Sequence, residues 1–270
     1  MTEDSAMHIP QTAPDPAQRP LHRVLWTSGW DSTFRILDLV SRRDCIVQPY
    51  YILDPDRRSH RIEIARMEEI VAATAQRGWS GEVRPVEIIP KPDTAAHPDI
   101  EEAWRRIRAQ HNMAGQYQWL AVAARERGLS ALETGVLGSS TMGSALAAHL
   151  VRQDYHGEEI MVLDTSPDDP LHTIFENMTF PLFGTKKPAM RTIAEQRSFI
   201  DLLERAWFCN KPLRNNHACG LCNPCRDAVT GGMGYRLGWR GRLLHRLPGF
   251  PVKPWPSTIQ MIGRGILGRI

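Results

Sequence analysis

The chain has no uninterrupted apolar stretch near the roughly 20 residues that a membrane-crossing helix needs, so nothing in it reads as a helical span. Cysteine is scarce, with five in 270 residues, and four of the five crowd into one short window. No N-terminal stretch has the pattern of a secretory signal, and a chain this long can build a core without covalent staples. A disulfide scaffold is therefore poorly supported, and the expectation is a soluble, cytoplasmic protein. No internal repeat is present. Net charge is only +3, too small to argue for nucleic acid by itself. Acids are missing locally, however: from Arg226 to Ile270 the only one is Asp227, among many arginines. That segment is expected to touch a polyanion or an acidic partner.

At 42% hydrophobic and 23% charged, the composition allows one full α/β domain plus a small appendage. The appendage is marked by its thiols. Cys219, Cys222 and Cys225 sit on a tight Gly- and Pro-containing turn, and Cys209 comes from the preceding segment as a fourth ligand. A structural zinc site takes four such ligands in a tetrahedron with no open position, so the spacing predicts about one zinc per chain. His217 is an alternative ligand by position, although a solvated loop residue is its simpler role. Cys45 opens an apolar run and reads as a small buried hydrophobe.

Along the chain, residues 1–20 are polar and Pro-rich with no apolar period, and read as a disordered leader. Strand patterns follow at His22 to Thr27, Ile46 to Leu53, Glu82 to Ile89 and Ala131 to Val136. Between them lie helical patterns at Thr33 to Val40, His60 to Gln76, Asp99 to Gln110 and Met113 to Arg127. This alternation predicts an α/β fold: a mainly parallel sheet with helices on both faces, and ligands at the C-terminal strand ends, where Ser28, Asp54 and Gly138 lie. The division expected is 21–205 for that domain, 206–228 for the zinc knuckle and 229–270 for a basic extension. In the extension, Ile259, Ile262, Ile266 and Ile270 recur near helical spacing and suit docking on the chain's own core or on another copy.

The first strand-loop-helix carries candidate chemistry. Ser28 and Gly29 are small enough for a phosphate to approach the backbone, and a helix starting near Asp31 or Ser32 offers N–H groups and a positive dipole end. Asp31 is suited to hold Mg²⁺ against phosphate oxygens. The plainer alternative is an N-cap, with Asp31 or Ser32 satisfying the helix start.

Thr27-Ser28-Gly29-Trp30-Asp31-Ser32-Thr33 resembles the Ser-Gly-Gly-x-Asp-Ser loop of the PP-loop ATP pyrophosphatases. The segment from Ala206 to Cys225 looks like the cysteine pattern of their 7-cyano-7-deazaguanine (preQ0) synthase group. His60 to Ala65 and Asn112 are similar to further elements of that group. The resemblance covers about Leu21 to Asp227 and implies an ATP-, Mg²⁺- and zinc-dependent ligase. In it, Thr27 to Thr33 bind nucleotide and Asp31, Ser32 and Lys186 act in catalysis, Lys186 as a charge partner with Lys187 as the alternative. The substrates implied are a 7-deazaguanine carboxylate and ammonia, and a homodimer is expected.

Two departures stand out. Thr27 and Ser28 replace the group's Ser and first Gly, and Ser139 to Ser144 replaces an Asp- and Tyr-Pro-Asp-Cys-containing stretch. Two other functions therefore stay open. One passes the activated deazaguanine to a macromolecular acceptor held by the basic extension, as in antiviral or nucleic-acid modification systems. The other is a non-catalytic zinc-knuckle protein that binds nucleic acid.

Overall fold

The computed structural model describes residues 19–111 and 115–246. Residues 1–18 of the expected leader, residues 112–114 with Asn112, and the Ile259 to Ile270 pattern lie outside the described residues, while Arg19 pairs with Asp44 and Glu82. Strands β1 (Leu21–Leu25), β2 (Ile46–Leu53), β3 (Glu82–Val83), β4 (Glu87–Pro90), β5 (Leu132–Glu133), β6 (Leu150–Tyr155), β7 (Glu158–Leu163) and β8 (Met178–Phe180) form one eight-stranded sheet. Its order is β3-β2-β1-β5-β8-β7-β6, with β4 also paired to β2. Neighbours are parallel from β3 through β8, and antiparallel for β8–β7 and β7–β6. The fold is thus α/β with a mostly parallel, mixed sheet.

The expected third strand, Glu82 to Ile89, is two strands. Pro85 has no N–H to give the ladder, and it falls between β3 and β4, both of which pair with β2. The antiparallel β6–β7 hairpin has no counterpart among the elements expected from sequence. Its two-residue turn, His156-Gly157, has φ of 55° and 72°, which matches the right-handed twist of the flanking strands.

The helices are α1 (Trp30–Arg42), α2 (His60–Thr74), α3 (Pro98–Gln110), α4 (Gln116–Glu126), α5 (Thr141–Leu146), α6 (Pro170–Phe175), α7 (Lys187–Gln196), α8 (Ile200–Leu203), α9 (Asn223–Thr230) and α10 (Trp239–Arg246). Successive residues of β2 are buried on opposite faces: Tyr50 and Ile52 join the core under α3, α4 and α6, while Val47 and Tyr51 are also buried. A strand covered on both faces is what a parallel crossover sheet requires.

By contact, the described residues divide into two compact units. One comprises residues 19–54, 66–111 and 115–206 and holds the sheet. The other comprises 55–65 and 207–246 and is built around the cysteines. In this second unit Arg57 donates to Asn210 Oδ1 at 2.9 Å and pairs with buried Glu63 at 2.9 Å, tying 55–65 to the segment beside Cys209. Among the described residues, no helix is long and apolar enough to cross a membrane.

Candidate functional site

Strand β1 is followed in the sheet by β2 on one side and β5 on the other, so the chain order reverses between β1 and β5. At such a point the loops leaving adjacent parallel strands turn in opposite directions and open a crevice. A cavity of about 130 Å³ sits there, lined by Thr27, Gly29, Asp31, Ser32, Gln116 and Gly135 among others. Gly135 packs closely on the start of α1: a Cβ there would lie 3.3 Å from the Ser32 backbone nitrogen.

The loop from Trp26 to Gly29 turns sharply through Ser28, which is fully buried and has φ 55°. This left-handed backbone is the kind that glycine adopts without cost, and it falls where the resembled motif has its first glycine. Gly29 is the N-cap of α1, and no side chain caps this helix end. Asp31 is not a cap. Its Oδ1 is buried with no hydrogen-bond partner, and its Oδ2 lies 3.8 Å from Lys187 Nζ. Burial pushes the Asp31 carboxyl above its ordinary value, and the Lys187 charge offsets part of the effect.

Of the residues expected at this site, Thr27, Gly29, Asp31 and Ser32 line the cavity, while Ser28, Trp30 and Thr33 are buried beside it. Thr33 Oγ1 accepts from Trp26 Nε1 at 2.9 Å, which gives it a structural place. Of the two lysines, Lys187 reaches Asp31, while Lys186 is the N-cap residue of α7. Tyr117, from α4, also lines the cavity and was not singled out in the sequence. Its ring lies 5.5 Å from that of Phe175, and burial raises its hydroxyl pKa. Ser140 serves α5: its hydroxyl donates to Leu137 O at 2.7 Å and accepts from Gly143 N at 2.9 Å.

A second candidate site lies in the cysteine unit. The sulfurs of Cys209, Cys219, Cys222 and Cys225 all lie within 4.8 Å of one another, and three of the four side chains are buried. Backbone N–H groups point at them: Cys219 N donates to Cys209 Sγ at 3.2 Å, and Cys222 N to Cys219 Sγ at 3.3 Å. Such bonds stabilise thiolate over thiol. The sulfurs are also within reach of one another, Cys222 Sγ lying 3.4 Å from Cys225 Sγ and 3.9 Å from Cys209 Sγ. The four residues form a group able to hold a metal ion, and His217 is not among them. Cys45 is separate and buried, its thiol pushed up to about 11 by burial and by Glu133.

No protein-family model matches this chain, and no curated protein does.

A third cluster, missed in the sequence, lies in the sheet unit. Glu133 is fully buried and accepts from Arg35 Nε at 2.6 Å, with His22 Nδ1 at 2.5 Å from its other oxygen. Arg35 donates twice more, to the two carboxylate oxygens of Glu158 at 2.9 and 3.0 Å. Glu133, Arg35 and Glu158 are paired with one another, while His22 Nε2 is buried without a hydrogen-bond partner; the pairs make the cluster a clamp between β1, β5, α1 and β7.

Proposed function

We propose that this protein is a ligase that splits ATP into AMP and pyrophosphate to activate a carboxylate for attack by ammonia. The carboxylate class we assign is that of a 7-deazaguanine. The observation that carries this reading is Asp31, whose buried oxygen without a partner sits at an uncapped helix N-terminus in the strand-order crevice. An orphaned carboxylate oxygen costs stability unless something binds it, and a hard cation accompanied by phosphate is the ligand that such a place suits. The resemblance of Thr27 to Thr33, and of Ala206 to Cys225, to the 7-cyano-7-deazaguanine synthase group supports the same chemistry.

In this reading the Gly29 to Ser32 backbone and the α1 dipole orient the phosphates. Asp31 would hold Mg²⁺, and Lys187 keeps the site from accumulating negative charge. When bound, Mg²⁺ stabilises the charge of the departing pyrophosphate. A carboxylate oxygen attacks the α-phosphorus and pyrophosphate leaves. Ammonia then displaces AMP, which keeps that oxygen, and the amide forms. The amide oxygen then attacks the α-phosphorus of a second ATP, a second pyrophosphate leaves, and loss of AMP and two protons gives the nitrile.

We assign zinc to the four cysteines. A tetrahedron of sulfurs about 2.3 Å from the metal has edges of about 3.8 Å. The Cys219–Cys225 and Cys222–Cys209 separations are both 3.9 Å, Cys222–Cys225 is 3.4 Å, and all four sulfurs lie within 4.8 Å of one another. With four protein ligands the site is closed and its role structural.

The test is AMP and pyrophosphate release by the purified protein supplied with ATP, ammonia and 7-carboxy-7-deazaguanine. Release is expected for the wild type and its loss for Asp31→Ala. No AMP with any deazaguanine carboxylate would end the proposal.

A further inference from the structure

Helix α10 is oriented in an unusual way. At 100° per residue, Trp239, Arg242, Leu243 and Arg246 fall on one side, and Gly241 and His245 fall on the other. The Gly241 side is the packed one. Gly220 has φ 75°, a Cβ there would meet Gly241 O at 2.0 Å, and one on Gly241 would meet Ala218 O at 2.5 Å. His245 Nδ1 lies 3.2 Å from Gly220 O. The helix is therefore fastened, backbone against backbone, to the cysteine turn itself.

The side turned to solvent carries the large apolar groups. Trp239 is 64% exposed, Leu243 55%, and Tyr235 in the preceding turn 51%. Arg240 lies over the Trp239 ring at 5.1 Å, and Arg236 over Phe208 at 5.0 Å. Over the described residues of this unit, 55–65 and 207–246, there are ten lysines and arginines and three acids, Asp56, Glu63 and Asp227. Among the described residues, Arg240, Arg242 and Arg246 form no ion pair. An outward Trp with stacked and adjacent guanidinium groups, in a unit where basic residues outnumber acids, is an exposed patch of the kind that marks an interaction site.

We propose that this face binds single-stranded nucleic acid, with phosphates on Arg240, Arg242 and Arg246 and a base stacked on Trp239. Charge complementarity selects a polyanion, and the exposed aromatic planes select one that presents bases. An anionic membrane would call for a broader aliphatic face than Leu243 alone offers. The inference is independent of the ATP chemistry proposed above.

The experiment is fluorescence anisotropy of the full-length protein with labelled 20-mer oligo(dT) and oligo(U), from 50 to 200 mM salt. Three phosphate contacts give a log–log salt slope of about −2. Trp239→Ala is expected to weaken binding about 5- to 150-fold with the slope unchanged, since base stacking carries no counterion. Arg242→Glu/Arg246→Glu is expected to weaken binding and to flatten the slope by about 1.4. Each variant is compared at matched metal content and melting temperature, so a folding defect is visible as such. The proposal is overturned by no binding at 50 mM salt, or by binding indifferent to both variants. Tighter capture of a polyglutamate peptide or of anionic phosphatidylserine vesicles than of the oligonucleotides would also overturn it.

Discussion

Replacing Glu133 by Gln keeps the volume of the side chain and removes its charge from the centre of the buried clamp. Burial alone would push this carboxyl up, but the Arg35 charge and the His22 contact outweigh it and hold the pKa at about 2, against an ordinary 4.5. At 1.36 kcal/mol per unit, that depression is worth about 3 kcal/mol of stability at neutral pH. The cost of removing one partner of a buried pair, about 3–5 kcal/mol, agrees. The lower end applies, because Arg35 keeps both bonds to Glu158. A depressed carboxyl stabilises the fold above its unfolded pKa, and the contribution drains away as pH falls toward the folded value. Chemical unfolding at pH 7 is therefore expected to show Glu133→Gln weaker by about 3 kcal/mol, roughly 6–12 °C in melting temperature. Wild type and variant should then converge, with more than about half of the gap gone by pH 3. A variant as stable as the wild type at pH 7, or a gap that does not change with pH, would refute the reasoning.

Three further outcomes are expected. Cys222→Ser should lower metal content below one ion per chain and leave the cysteine unit open to protease, and chelation of the wild type should lower its melting temperature; metal analysis and limited proteolysis check this. Gly220→Ala should cost about 2–5 kcal/mol, from the left-handed backbone and the clash with Gly241 O together, and should abolish oligonucleotide binding by the α10 face. Asp31→Asn should remove activity yet raise stability at pH 7 by about 1 kcal/mol, since it replaces a carboxylate whose charge burial disfavours. Because that pKa is raised, the penalty falls as the wild-type carboxyl takes up its proton, so the gain should shrink toward acid pH in thermal scans.

The parallel half of the sheet was legible because β1, β2 and the helix α1 between them carry clear patterns, and the bounds expected for β2, Ile46 to Leu53, match those observed. The cysteine group was legible because its ligands are close in sequence. The hairpin of β6 and β7 was not read, although His156-Gly157 is a turn signal; exposed Val151 and Arg152 blur the alternation that would have flagged the strand. The Glu133 clamp could not be read at all, since its members come from positions 22, 35, 133 and 158 and only the sheet order brings them together. The same holds for the choice of Lys187 over Lys186, which depends on where α7 starts relative to α1.

Oxygen transfer tests the nucleotide chemistry at its first bond. With a deazaguanine carboxylate labelled with ¹⁸O, ATP and ammonia, the AMP recovered after turnover should carry one labelled oxygen by mass spectrometry, and Asp31→Ala should yield none. Unlabelled AMP, or ADP and phosphate in place of AMP and pyrophosphate, would contradict carboxylate activation at the Asp31 loop.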